Sequence, residues 1–233
     1  MLNINLIEIY HDGIDIPSRS LKLIKGFTTS CAQFAQSNEK NYRRFLYAVK
    51  GHVGGRPISF QIWEDDLPYA RSQIDTITSM GTNVFVQIPI LNGKGKFNSP
   101  LFEYAMSRSL AIDIGCIHTI GQIDTAWEIF KEYKKPILVS VFAEGISDAG
   151  LEPDEIAGYA VSKFKPNSNA KILWIGCGEV ITIQRAIDAG CHCISVPGPI
   201  IDKLPLIGKS LEHATIDRVS GHRRDAMLAG LSI

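Results

Sequence analysis

The chain has 233 residues, 45% of them hydrophobic, with 24 basic and 24 acidic side chains and a formal net charge of zero. That length and apolar content suffice for one sizeable core, so a single domain over 1–233 is the first expectation. Balanced charge without a basic stripe or a long block of one sign removes the electrostatic reason to expect nucleic acid or a membrane surface, leaving small molecules or protein surfaces as partners.

Met1 to Asn5 show neither the basic start nor the apolar run of a signal peptide, and no window approaches the roughly 18 apolar residues of a spanning helix, so a cytoplasmic location is expected. Short apolar runs then alternate with segments of helical period. In chain order the runs are 5–9, 26–30, 57–63, 83–89, 110–117, 136–143, 171–176 and 191–197. Helices are expected over 32–50, 66–80, 99–109, 122–133, 153–164, 179–189 and 198–207, and a last helical segment over about 215–231 contains Gly221. Pro153 followed by acidic residues marks a start, and Ala189-Gly190 a stop. Eight strand–helix units without a Pro/Gly/Ser linker predict an α/β fold, a single (β/α)8 TIM barrel with a C-terminal helical extension. Gly93-Lys94-Gly95-Lys96 after the fourth run forms a loop at the C-terminal strand ends, the face on which barrel enzymes place their chemistry.

Five cysteines (Cys31, Cys116, Cys177, Cys191, Cys193) make an odd set without a C-x-x-C pair. Buried, reduced thiols are expected rather than a disulfide framework or a structural zinc site.

Read in order, the strand ends resemble the transaldolase family, in particular its short-chain branch that includes fructose-6-phosphate aldolase. Leu23-Ile24-Lys25-Gly26-Phe27-Thr28-Thr29-Ser30 is similar to the family's second strand, and Asn83-Val84-Phe85-Val86-Gln87-Ile88-Pro89 to its "N-I-V-V-K-I-P" fourth strand. Ser140-Val141-Phe142 with Ser147-Asp148-Ala149-Gly150, and Ala186-Ile187-Asp188-Ala189-Gly190 with Ile194-Ser195-Val196-Pro197, resemble later family segments, so the match runs over about 4–208. The family's reaction uses a lysine amine that forms an imine with a ketose carbonyl. Gln87 stands at that lysine, and a carboxamide nitrogen, delocalised into its own carbonyl, is no nucleophile.

Other positions depart with it. By the resemblance, Glu8 stands at the first-strand aspartate, Ser30 at the asparagine after the paired threonines, Asp113 at the strand-five asparagine and Gln61 at the polar strand-three position. The phosphate-gripping positions correspond to Gly145, Gly176 and Gly178, flanked by Glu144 and Glu179, so a substrate that is not a sugar phosphate is expected. Gly176-Cys177-Gly178 could still offer backbone N–H groups at a helix start.

These readings give Glu8, Asp113 and Gln87 as the catalytic candidates, with Glu8 and Asp113 as an acid–base carboxylate pair. Thr28, Ser30, Gln61, His118, Ser140, Gly176 and Gly178 are the substrate-binding candidates. No metal and no cofactor are expected, since His118 lies beyond the strand that carries Asp113 and need not converge with it and Glu8. His11 and Asp12, after the first run, lie near the mouth without a distinguishing signal, and His222-Arg223-Arg224 read as a solvated or subunit-contacting face. The expected function is an enzyme on a small polyhydroxylated carbonyl compound that works without an imine, within a homo-oligomer like those of the family. The alternatives are a non-catalytic homologue that binds a metabolite or a protein, and an active aldolase whose amine has moved to Lys94 or Lys96.

Overall fold

The computed structural model describes residues 2–13 and 22–231. Eight parallel strands close a barrel in sequence order: β1 Glu8–Asp12, β2 Ile24–Thr28, β3 Ile58–Gln61, β4 Val84–Pro89, β5 Ile112–Ile117, β6 Ile137–Phe142, β7 Ala170–Ile175 and β8 Cys193–Pro197. The helices are α1 Cys31–Gln36, α2 Tyr42–His52, α3 Leu67–Thr78, α4 Ser99–Ser107, α5 Ile120–Phe130, α6 Ala143–Asp148, α7 Pro153–Phe164, α8 Ile181–Asp188, α9 Gly198–Ile201 and α10 Leu211–Leu228. The strands are short β-branched runs such as Ile-Leu-Val-Ser-Val-Phe in β6, and both of their faces are covered, as a parallel sheet requires.

The first strand begins three residues later than the expected 5–9. Asn3 caps a 3-10 turn over Ile4–Leu6 through its side chain and so withdraws that stretch from the sheet. Pairing with β8 then starts at Glu8↔Cys193 and ends at Asp12↔Pro197. The expected helix over 32–50 is two helices: Ser30 and Gln33 form a capping box at the start of α1, and Asn41 caps α2. That capping also ends β2 at Thr28 rather than at 30. α6, directly after β6, is an addition to the expected set.

Alternation along the strands divides the apolar side chains into two clusters. The larger one lies between strands and helices and includes Ile9, Phe60, Ile88, Phe102, Ile114 and Trp174. The smaller one, Tyr10, Phe85, Leu138, Leu173, Ile175 and Cys193, fills the barrel itself, as expected of a packed rather than hollow interior. Gly26 makes room for it, because a Cβ there would stand 2.5 Å from the Tyr10 ring.

α10 follows the barrel, starts at the Ser210 cap and has no buried residue among those described. Leu211, Ile216, Val219, Met227 and Leu228 are exposed on it. Among the described residues no helix is long and apolar enough to cross a membrane.

Candidate functional site at the carboxyl ends of the strands

Above the apolar plug the inward positions turn polar. Asp113 on β5 is fully buried, and three side chains from β3, β4 and β6 donate to its carboxylate. Ser59 Oγ on β3 reaches Oδ2 at 2.6 Å, Gln87 Nε2 on β4 reaches the same oxygen at 2.8 Å, and Ser140 Oγ on β6 reaches Oδ1 at 2.5 Å. Burial pushes the Asp113 carboxyl above its ordinary range, and the bonds from Ser140, Ser59 and Gln87 oppose that shift. Gln87 itself is nearly buried and lies over Gly115, where a Cβ would come within 2.8 Å of its Cγ. The absent side chain at 115 is what leaves space for the amide.

A second network occupies the β8–β1–β2 side. Ser195 Oγ and Thr28 Oγ1 are 2.6 Å apart, and Thr28 Oγ1 donates to Asp12 Oδ1 at 3.3 Å. Gln33 Nε2 donates to the same oxygen at 2.9 Å, while Gln33 Oε1 accepts from Ser30 N. Asp12 lines a cavity of about 350 Å³ together with His11, Gly13, Gln33, Gly198 and Pro199 among others. Among the described residues, none that lines this cavity is Lys or Arg.

The remaining candidates separate. Glu8 is not at the mouth: as the first residue of β1 it lies at the opposite end of the barrel, and both of its oxygens accept from Lys171 Nζ at 2.7 and 2.8 Å. The expected Glu8–Asp113 pair is therefore not formed. The buried phenol of Tyr10 feels both carboxylates, and burial above all pushes it upward. Gln61 Oε1 accepts from Cys31 N at 3.0 Å, and the Ser30 hydroxyl caps α1, so both build the β2–α1 corner. His118 is half-buried beside Phe142, its Nδ1 2.9 Å from the Cys116 carbonyl oxygen. A Cβ at Gly145 would meet His118 Nε2 at 2.7 Å. Gly176 has φ +96 and packs against Glu144, where a Cβ would approach within 2.3 Å, and Gly178 is exposed.

Lys94 and Lys96 are exposed on a turn whose backbone is held by Asn92 Oδ1, and no hydrogen bond joins either amine to Gln87 or Asp113. Among the described residues no three His, Cys, Asp or Glu side chains come together as metal ligands. All five cysteines are free, and Cys31 and Cys116 are half-buried rather than buried. Burial pushes both of these thiols up to about 11, with further contributions from Cys116 on Cys31 and from Asp113 on Cys116. They are protonated at neutral pH, the wrong state for a nucleophile.

Gln33, Ser59 and Ser195 were missed from sequence, and Asp12 was left without a role. A signal for the two serines existed, since Ser59 is two residues before Gln61 and Ser195 two after Cys193, on the inward parity of their strands. Gln33 had a weaker one, the Ser-x-x-Gln capping pattern.

No family model and no curated protein matches the chain. Solved structures do. A mandelate oxidase with 3,3-difluoro-2-hydroxy-3-phenylpropionic acid is similar with TM-score 0.53 and 13% identity, over 78% of this chain and 58% of that one. A mandelate oxidase with (S)-2-phenylpropionate gives 0.52 and 14%, over 87% and 65%. Orotidine 5'-monophosphate decarboxylase from Metallosphaera sedula gives 0.51 and 10%, over 85% and 91%. The chain spans less than two thirds of the length of these mandelate oxidases. At such identities the likeness establishes the architecture alone, and the chain is a (β/α)8 TIM barrel.

Proposed function

We propose that the chain is a transaldolase-like enzyme of carbohydrate chemistry that takes a small, uncharged polyhydroxylated carbonyl compound at the C-terminal mouth and moves protons on it without an imine. The observation that carries this reading is the 2.8 Å bond from Gln87 Nε2 to the buried Asp113. It fixes which end of the amide faces inward and leaves the carbonyl oxygen and the second N–H for a ligand. A fixed amide orients a hydroxyl or polarises a carbonyl, which needs no nucleophile. Asp113, being fully buried, acts as a positioning residue.

Proton exchange then falls to Asp12, which lines the cavity and whose Oδ1 is tied through Thr28 to Ser195. Glu144 and Glu179 flank the glycines at the positions where the family grips phosphate, and this favours an uncharged substrate.

The test is loss of carbon-bound protons from dihydroxyacetone and other unphosphorylated ketoses in D2O, followed by NMR. Exchange with the wild-type chain, abolished by Asp12→Asn and without a borohydride-trapped adduct in the intact mass, is the expected result. The complete burial of Asp113 favours a second reading, a binding protein without turnover. Calorimetric binding of a sugar with no exchange would select it, whereas a borohydride adduct would select relocation of the amine to Lys94 or Lys96. We further propose a homo-oligomer, in which a second copy covers the exposed apolar side chains of α10.

A further inference from the structure

Trp63, just beyond β3, is 45% exposed, yet its surroundings hold it in place. Phe34 of α1 stacks on it with centroids 6.0 Å apart and planes at 23°, and Tyr42 of α2 meets it edge-on at 4.4 Å and 79°. Both supports are anchored: Phe34 and Tyr42 also contact each other at 5.0 Å, and Tyr42 Oη donates to the Gln61 carbonyl at 2.6 Å. The Trp63 backbone N–H donates to Gln73 Oε1 at 3.1 Å. Such an indole is a prepared surface, because the entropy of fixing it has been met within the fold.

A cavity of about 620 Å³ opens in front of it, between α2 and α3, and outside the barrel interior. Lys40, Arg43, Gln73 and Ser72 line it together with the two rings. Neither Lys40 nor Arg43 forms an ion pair among the described residues, and the neighbouring carboxylate of Glu39 is turned to the Asn41 N–H at 2.7 Å. The indole Nε1–H likewise has no acceptor among the described residues. Two unpaired cations beside a fixed, half-open aromatic face and an amide make a site with one obvious complement: a flat ring to stack, carrying an anionic group for the cations.

We infer that the α2–α3 cavity is a second binding site, separate from the mouth, for a planar ring bearing a phosphate or carboxylate. The ring stacks on Trp63 and the anion pairs with Lys40 and Arg43. The site lies apart from the cavity beside Asp12 and, among the described residues, shares no lining residue with it, so failure of either reading leaves the other standing.

Calorimetric titration of the full chain tests it with four probes: AMP has ring and phosphate, adenosine the ring alone, ribose 5-phosphate the anion alone, and phenylacetate a ring with a carboxylate. AMP is expected to bind about tenfold or more tighter than adenosine or ribose 5-phosphate. Its advantage over adenosine is expected to disappear in Lys40→Ala/Arg43→Ala and at high salt. Trp63→Ala is expected to lose the binding and Trp63→Tyr to retain part of it, with thermal melts confirming that both variants fold. Phenylacetate binding lost in the same variants would name carboxylate as the anion, and its absence beside AMP binding would name phosphate. AMP binding that survives Trp63→Ala, or that is no tighter than adenosine binding, would overturn the inference, as would no binding by any probe.

Discussion

Asp113 sits where an apolar side chain would fill a barrel, so its cost and its use have to be weighed together. Three donors offset its burial, and burial still prevails, raising the carboxyl above the ordinary value of 3.8. The sign of the linkage follows. Below pH 3.8 the folded and unfolded chains both carry the proton and the contribution to stability is complete. As pH rises, the unfolded chain releases its proton first, so stability falls by up to about 1.4 kcal/mol per pH unit until Asp113 ionises within the fold. Asp113→Asn is expected to lower stability at acid pH, since an amide presents a donor to a group of donors, and to remove that part of the slope in denaturant melts taken between pH 4 and neutrality, so that its deficit shrinks as pH rises.

Glu8 gives the opposite expectation. Its partner Lys171 is 45% exposed and Glu8 itself 40%, so the ion pair is wet and contributes within about 1 kcal/mol. Glu8→Gln is expected to change stability by no more than that and to leave ligand binding and turnover unaltered, measured by calorimetry and proton exchange.

At the scale of elements, much of the barrel was legible and its boundaries were not. The eight apolar runs were readable because a covered parallel sheet needs continuous β-branched sequence, and α7 falls on the expected 153–164 because Pro153 and two acidic residues open it. The first strand misled because Asn5 to Ile9 reads as a short apolar run, while the capping by Asn3 is a local hydrogen bond that hydrophobicity does not register. That shift of three residues carried the site with it, since it moved Glu8 to the far end and brought Asp12 to the mouth. Gln87, Asp113 and Ser140, singled out through the resemblance to family strand-end positions, do come together in one hydrogen-bonded cluster. The capping box of α1 also links local structure to the site, because Gln33 holds both Ser30 N and Asp12. Ser30→Ala is expected to cost about 1 kcal/mol in a thermal or urea melt while leaving the Gln33–Asp12 bond in place.

For the whole molecule, the barrel and α10 are held by different forces. The barrel has its own two apolar clusters, whereas α10 contributes no buried residue to either. An isolated helix of 18 residues is marginal in water, and the apolar side chains along it await a cover. Truncation after Gly208 is expected to shift the melting temperature of the barrel by only a few degrees, because no core contact is removed. The same truncation is expected to lower the association state in sedimentation, in keeping with the proposed oligomer.

The polar centre above the plug is the feature on which the functional account rests, and proton exchange in D2O addresses it most directly. With dihydroxyacetone as substrate, the wild-type chain is predicted to exchange carbon-bound protons, and Gln87→Ala to lose most of that rate while folding normally. No exchange by the wild-type chain with any unphosphorylated ketose, or undiminished exchange by Gln87→Ala, would contradict it.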